Sequence, residues 1–219
     1  MEDVLTIYAQ PYDRCYPVVC LDEKIKYLLA SPSPNLPPKA AVGEKPGCLE
    51  KEDYEYVRQG SANLFVMVEP KARKRHVLVR ERRTSRDYAL ALKWLVDEGY
   101  PECEKIILVD DNLNTHCPAS LYKTFEPKEA RRILAKFEFH HTPKHGSWLN
   151  MAEIEISVFE RTCLSRRIAT RAELEHQVAA LEAERNAAQA TINWQFTCED
   201  ARVKLDRLYP KLAQINQSL

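Results

Sequence analysis

Apolar residues along the chain fall into runs too short for a helix and bounded by polar residues. The clearest are Val18-Val19-Cys20-Leu21, Leu64-Phe65-Val66-Met67-Val68 and Ile106-Ile107-Leu108-Val109. Continuous runs of this length mark strands buried on both faces. The pattern predicts a first strand over residues 17–24, a second over 62–68 and, after the basic turn Lys71-Ala72-Arg73-Lys74-Arg75, an antiparallel partner over 76–80. Those three form a meander. The basic turn reads as a solvated hairpin tip, with contact to phosphate as the alternative. Phe137-Glu138-Phe139-His140-His141 alternates and supplies a short fifth strand.

Helical spacing fills the gaps. Thr84-Ser85-Arg86-Asp87 is an N-cap signature, and Tyr88, Leu92, Leu95 and Val96 then share one side until Gly99-Tyr100-Pro101 ends the helix. A helix that joins this meander to the strand at 106–109 implies a parallel pairing with strand one. Residues 127–137 form a second amphipathic helix. Ser147 can cap a third that begins at Trp148, in which Leu149, Ala152, Ile156, Phe159 and Cys163 make the buried stripe. Ala- and Glu-rich residues 171–189 and the stretch 198–208 add two more helices, and residues 2–10 read as a terminal helix or arm. Five prolines between Ser31 and Gly47 exclude a regular element there.

This order describes one α/β domain with a mixed sheet. The expected divisions are an arm over 1–15, a catalytic domain over 16–168 carrying a Pro-rich insertion at 31–59, and a helical extension over 169–219. The 219 residues suffice for a substantial core. Lys+Arg and Asp+Glu both number 32, so overall charge points to no polyanionic partner, and a nucleic-acid reading has to rest on local patches. No apolar run is long enough for a membrane span and no signal peptide opens the chain, so the expected location is the bacterial cytoplasm. Seven scattered cysteines without a CxxC pair fit reduced thiols, and neither His116-Cys117 nor His140-His141 with His145 has zinc spacing.

Three acids stand out because each sits on an element whose pattern is buried. Asp22 is on strand one, Asp111 ends the strand at 106–109, and Glu153 borders the core side of a late helix. Gathering such carboxylates is unfavourable unless cations neutralise them or one keeps its proton. Mg²⁺ suits the first solution, because it binds through a few carboxylates and completes its shell with water and phosphate oxygens. A single Asp at a strand end is ordinarily a turn residue, and a single Glu on a helix is ordinarily solvated. The set of three, in the order strand, strand, helix, is what raises a catalytic reading.

Val19-Cys20-Leu21-Asp22-Glu23-Lys24, then Ile107-Leu108-Val109-Asp110-Asp111-Asn112-Leu113-Asn114-Thr115-His116, then Thr142-Pro143-Lys144-His145-Gly146-Ser147-Trp148-Leu149-Asn150-Met151-Ala152-Glu153 resemble the three signature blocks of DDE transposases. More closely, they resemble those of bacterial insertion sequences in the mariner-like superfamily. The likeness runs from about Val18 to Asn193. It implies a ribonuclease H-like fold, a five-stranded mixed sheet whose first three strands are antiparallel, flanked by helices. It also implies Asp22, Asp111 and Glu153 as catalytic and metal-binding acids. Asp111 is preferred over Asp110 because it directly precedes Asn112, and Glu155 and Glu160 fall outside the register of Glu153. Asn112, Asn114 and His116 are expected to shape the turn after the second acid, while Trp148, Leu149 and Asn150 seat the last helix. Lys144 and His145 read as a polar turn that the resemblance brings near the DNA backbone.

The implied chemistry is DNA cleavage and strand transfer at element ends and target with Mg²⁺ or Mn²⁺, two ions together. It further implies a homodimer assembled on DNA. Related full-length enzymes carry helix-turn-helix domains before the catalytic region, whereas only residues 1–15 precede strand one here, so end recognition is expected from a separate part. Two other readings stand beside this one. The first is a non-catalytic or remnant DNA-interaction module. The second is a metal-dependent phosphatase-like hydrolase built on Asp110-Asp111, for which five glycines are few.

Overall fold

The computed structural model describes residues 1–40, 47–49, 51, 53–111, 113 and 116–209. Helix α1 (Glu2–Ala9) leads to strand β1 (Val18–Ala30), then β2 (Val57–Glu69) and β3 (Lys74–Arg80). Helix α2 (Ser85–Trp94), prolonged by a π-helical turn over Leu95–Gly99, carries the chain to β4 (Ile106–Asp110). Helices α3 (Ala119–Thr124) and α4 (Pro127–Leu134) precede β5 (Phe137–His141). The chain then runs through α5 (Ala152–Phe159), α6 (Arg171–Ala187) and α7 (Cys198–Lys204).

The sheet order is β3-β2-β1-β4-β5, with β1 antiparallel to β2, β2 antiparallel to β3, and β4 parallel to both β1 and β5. This is the ribonuclease H-like arrangement implied by the resemblance. Strand β4 and the inner halves of β1 and β2 are buried on both faces, and the pleat sorts their side chains. Val19, Leu21, Ile106 and Leu108 face α2, α3 and α4. Val18, Cys20, Ile107 and Val109 face α1, the start of α5 and α7. Further along β2, Leu64 and Val66 pack under Ile156 and Phe159 of α5 and Leu174 and Val178 of α6.

Several elements exceed their predicted bounds. Strands β1 and β2 each run 13 residues, because their outer halves pair with one another beyond the hydrophobic stretch that defined them. A register irregularity between Leu28 and Leu29 faces Gly60, whose φ of +110° a side chain would strain. The Pro-rich excursion doubles back on itself, with Leu36 bridging Lys51 and Lys39 bridging Cys48. Helix α2 begins where expected, and Thr84 and Asp87 close a reciprocal capping box. Helix α1 is packed, with Val4, Leu5, Ile7 and Tyr8 buried against the sheet.

Two expectations are corrected. The predicted helix over 127–137 ends at Leu134, and α3, too short to show a period, precedes it. The basic turn is not wholly a solvated tip. Arg75 lies in β3 with its guanidinium buried, Nε 3.2 Å from Glu155, Nη1 donating to the Arg185 carbonyl and Nη2 to the Ala190 carbonyl. Arg185 also donates to Glu155, at 2.6 and 3.0 Å, so one fully buried carboxylate joins β3, α5 and α6. Glu160, the other acid near Glu153, pairs with Lys24 at 2.5 Å.

Removing the Glu155 carboxylate leaves Arg75 buried without its counter-charge. Glu155→Ala should cost about 3–5 kcal/mol of folding stability. Exposed Glu160→Ala should cost less than about 1 kcal/mol, both read from urea unfolding.

Candidate active site

Side-chain alternation decides which acids can meet. On β1, Cys20 and Asp22 share the face that carries α5, while Leu21 and Glu23 point to the α2 face. On β4, Leu108 and Asp110 point to the α2 face, so the residue after the strand returns to the α5 face. That residue is Asp111. Parallel pairing sets Val109 beside Cys20, which brings Asp111 level with Asp22.

Glu153 comes from the other direction. The helix that bears it starts at Ala152, a turn later than predicted, and Ser147 opens only a short 3-10 turn over Ser147–Leu149. Asn150 causes the break. It is extended (φ −80°, ψ 115°) and fully buried, its Nδ2 donating to the Leu21 carbonyl at 2.8 Å and lying 3.4 Å from Asp22 Oδ2. Its Oδ1 accepts from the Ala152 N–H at 3.1 Å. One amide side chain therefore ties the first acid's strand to the start of the helix carrying the third. Tyr8 of α1 steadies the same segment by donating to the Leu149 carbonyl at 2.9 Å.

The three acids are electrostatically joined. Burial pushes the Asp22 carboxyl up to about 7; the Glu23 backbone N–H opposes that, and the charges of Glu153 and Asp111 add to it. They do not converge on a point: among the described residues no three His, Cys, Asp or Glu side chains stand close enough together to hold an ion. Like charges without a cation are expected to keep apart.

Asp111 is held from the other side by His116. The imidazole is completely buried, with Nδ1 2.5 Å from Asp111 Oδ1 and Nε2 3.0 Å from Glu23 Oε1. Burial alone would push His116 down, but its hydrogen bonds to Asp111 and Glu23 outweigh that and hold it at about 10. Its ring stacks on Tyr88, centroids 4.4 Å apart. Tyr88 donates to Asp110 Oδ2 at 2.6 Å, and His141 Nδ1 lies 2.6 Å from Asp110 Oδ1, so Asp110 braces α2 and β5 from within the core. The hydrolase reading needed Asp110 and Asp111 to act together. Asp110 is instead enclosed by Tyr88 and His141, while Asp111 meets His116 and lines the groove.

Of the expected supporting residues, Asn150 and His116 touch the acids. Trp148 does not: it is half-exposed, edge-on to Phe196 at 5.3 Å. Asn112 and Asn114 lie outside the described residues. Lys144 and His145 are exposed in the turn after β5 and line a groove of about 310 Å³ together with Asp111, Leu113 and Ser147. The turn is tight. Gly146 N–H donates to the Pro143 carbonyl at 2.8 Å, a Cβ at Gly146 would stand 2.6 Å from the Pro143 ring, and His145 takes a positive φ of 63°. Larger hollows of about 380 and 500 Å³ lie at the far end of the sheet around Trp94, Tyr100 and Glu69, remote from the acids.

Comparison with known families gives a direct result. The profile of the family described as DDE superfamily endonuclease matches residues 17–175, about three quarters of the chain. The chain belongs to the DDE superfamily endonucleases. Among solved structures the chain is similar to the crystal structure of the Mos1 strand transfer complex, with a TM-score of 0.49 and 12% identity, covering 88% of this chain and 60% of that one. A comparison with curated proteins found no match. No helix among the described residues is long and apolar enough to cross a membrane.

Sequence reasoning missed Glu23, Tyr88 and His141. Strand alternation carried a signal for Glu23, since the residue after an inward acid must face the opposite layer. Nothing local marked Tyr88 or His141 as partners of Asp110.

Asp22 gives this site a pH signature. An acid whose folded pKa lies above its unfolded value stabilises the fold most while protonated, and that contribution is lost as pH rises through the folded value. Without added metal, stability should fall between about pH 4 and pH 7 on Asp22's account. Asp22→Asn should flatten that window in urea unfolding curves taken at successive pH values; an unchanged slope would show that Asp22 ionises freely.

Proposed function

We propose that this endonuclease is the catalytic domain of a transposase, cutting DNA at the ends of an element and joining the freed 3′-hydroxyl to target DNA with a divalent cation. The observation that carries the reading is the parallel pairing of β1 and β4, which brings Asp111 level with Asp22, with Asn150 tying β1 to the start of the helix that bears Glu153.

Their chemistry fits Mg²⁺ or Mn²⁺. The donors are all carboxylate oxygens, and burial, reinforced by the charges of Glu153 and Asp111, pushes the Asp22 carboxyl up to about 7, a condition that a cation would relieve. Mg²⁺ needs only one or two carboxylates when water and substrate phosphate fill its other positions, so the neighbouring pair Asp22 and Asp111 suffices as a platform with Glu153 beside it. Bound there, such ions, two of them in this reading, would activate the attacking oxygen and stabilise the leaving one.

The residues around the platform have distinct proposed tasks. Asp22 lies within β1 and Asp111 is the first residue beyond its parallel neighbour β4, so the sheet brings the two acids near one another. Asn150 holds the Asp22 strand against the start of α5 and sets the height of Glu153 in the first helical turn. Exposed Lys144 and His145 beside Asp111 offer positive charge and hydrogen bonds to the phosphates of a strand in the groove. Such contacts position the backbone without reading bases. Recognition of element ends by a helix-turn-helix part, and a dimer holding two ends, complete the proposal.

The test is nicking of DNA carrying the element's ends, with such a recognition part supplied. Mg²⁺ or Mn²⁺ should support it, and Asp22→Ala, Asp111→Ala and Glu153→Ala should each reduce it to background while remaining folded by circular dichroism. Asp110→Asn should chiefly lower the unfolding midpoint. An Asp111→Asn protein that still cuts, beside a folded Asp110→Asn protein that does not, would reverse the choice of second acid.

A further inference from the structure

We infer that Glu23 is a positioning residue which, through His116, fixes the orientation of the Asp111 carboxylate toward its metal. The inference rests on the metal-binding reading of Asp22, Asp111 and Glu153 and extends it to a residue on the opposite face of the sheet.

Asp111 is the least supported of the three acids by its own backbone. Asp22 stands within a 13-residue strand and Glu153 in the first turn of a helix, but Asp111 is the first residue beyond β4, where sheet pairing no longer restrains it. Its carboxyl group therefore needs side-chain support. His116 supplies it, with Nδ1 hydrogen-bonded to the Asp111 carbonyl at 3.3 Å and ion-paired with Asp111 Oδ1 at 2.5 Å.

An imidazole on a loop can rotate, and two contacts prevent that. The ring lies flat on Tyr88, with an interplanar angle of 20°, which fixes its plane. Glu23 Oε1 meets Nε2 at 3.0 Å, which fixes its direction within that plane. Glu23 belongs to β1 and its side chain is 4% exposed, so the anchor at the far end of the chain is as rigid as the sheet. The order Glu23, His116, Asp111 is a carboxylate–imidazole–carboxylate chain whose last member is the metal-binding one. Carboxylates that orient metal-ligating groups in this way commonly change metal affinity by one to two orders of magnitude when lost.

The adjacency of Asp22 and Glu23 then has a use. Consecutive residues of one strand face opposite layers, so β1 delivers one acid to the metal directly and supports a second acid from behind, by way of the residue that rounds the end of β4.

Two conservative variants separate this role from its rivals. Glu23→Gln keeps the reach and an acceptor for Nε2 but removes the charge, whereas Glu23→Asp keeps the charge but shortens the reach by one methylene. Mn²⁺ alone is titrated into each purified full chain and followed by water-proton relaxation, alongside the parent and Asp111→Ala, with urea unfolding run in parallel. Glu23→Asp should bind Mn²⁺ about tenfold more weakly and Glu23→Gln within about threefold of the parent. The reverse order would mean that the charge of Glu23, not its hydrogen bond, matters, and would overturn the inference. Unfolding midpoints that shift while both variants bind Mn²⁺ like the parent would reduce the contact to a structural staple and overturn it as well. If Asp111→Ala loses Mn²⁺ while both Glu23 variants keep it, only this inference falls; if the parent binds none, the metal-site reading falls with it.

Discussion

A strand buried on both faces must send successive side chains into opposite layers, and this site depends on that constraint. Because β1 and β4 are parallel neighbours in the middle of the sheet, it acts on both at once and in register. Asp22 and Asp111 fall to the layer that holds α5; Glu23 and Asp110 fall to the layer that holds α2. On the first side lies a groove lined by Asp111, Lys144 and His145. The second gathers the hydrogen-bonded groups that hold those acids still. A shift of one residue in either strand would exchange the two sets.

Buried charge is tolerated differently in the two layers, and the difference separates scaffold from chemistry. Asp110 is fully enclosed and satisfied by Tyr88 and His141, and Glu155 is fully enclosed and satisfied by Arg75 and Arg185. Each is tied to partners on other elements of the fold. Among the described residues Asp22 has no cationic partner; it accepts one backbone N–H and lies near one amide, and repulsion from Glu153 and Asp111 reinforces what burial does to its carboxyl. A buried acid in that condition, with no counter-charge of its own, marks a candidate ligand site.

Support for the third acid comes from far along the chain. Asn150 links β1 to α5, Tyr8 of the N-terminal helix holds the Leu149 carbonyl, and the Arg75–Glu155–Arg185 cluster fixes α5 to β3 and α6. Glu153 and Glu155, two residues apart on one helix, differ in burial: Glu155 is enclosed and Glu153 only half-buried.

Much of this was legible in the residues themselves. Short apolar runs marked β1, β2 and β4, Thr84 with Asp87 marked the start of α2, and the three motif blocks marked Asp22, Asp111 and Glu153 as a set, because strand burial, capping and motif spacing are local properties written in consecutive residues. The length of the β1–β2 hairpin, the existence of α3 and the late start of α5 were not, since each depends on what pairs or packs across the fold. The same holds for the partners. Glu23 lies next to Asp22 in the chain but works with His116, 93 residues away, and Asp110 answers to Tyr88 and His141 on either side of it. The sequence by itself determined which acids were present and on which kind of element; the tertiary structure decided which of two adjacent aspartates faces the groove, because only packed layers give the two sides of a strand different chemistry.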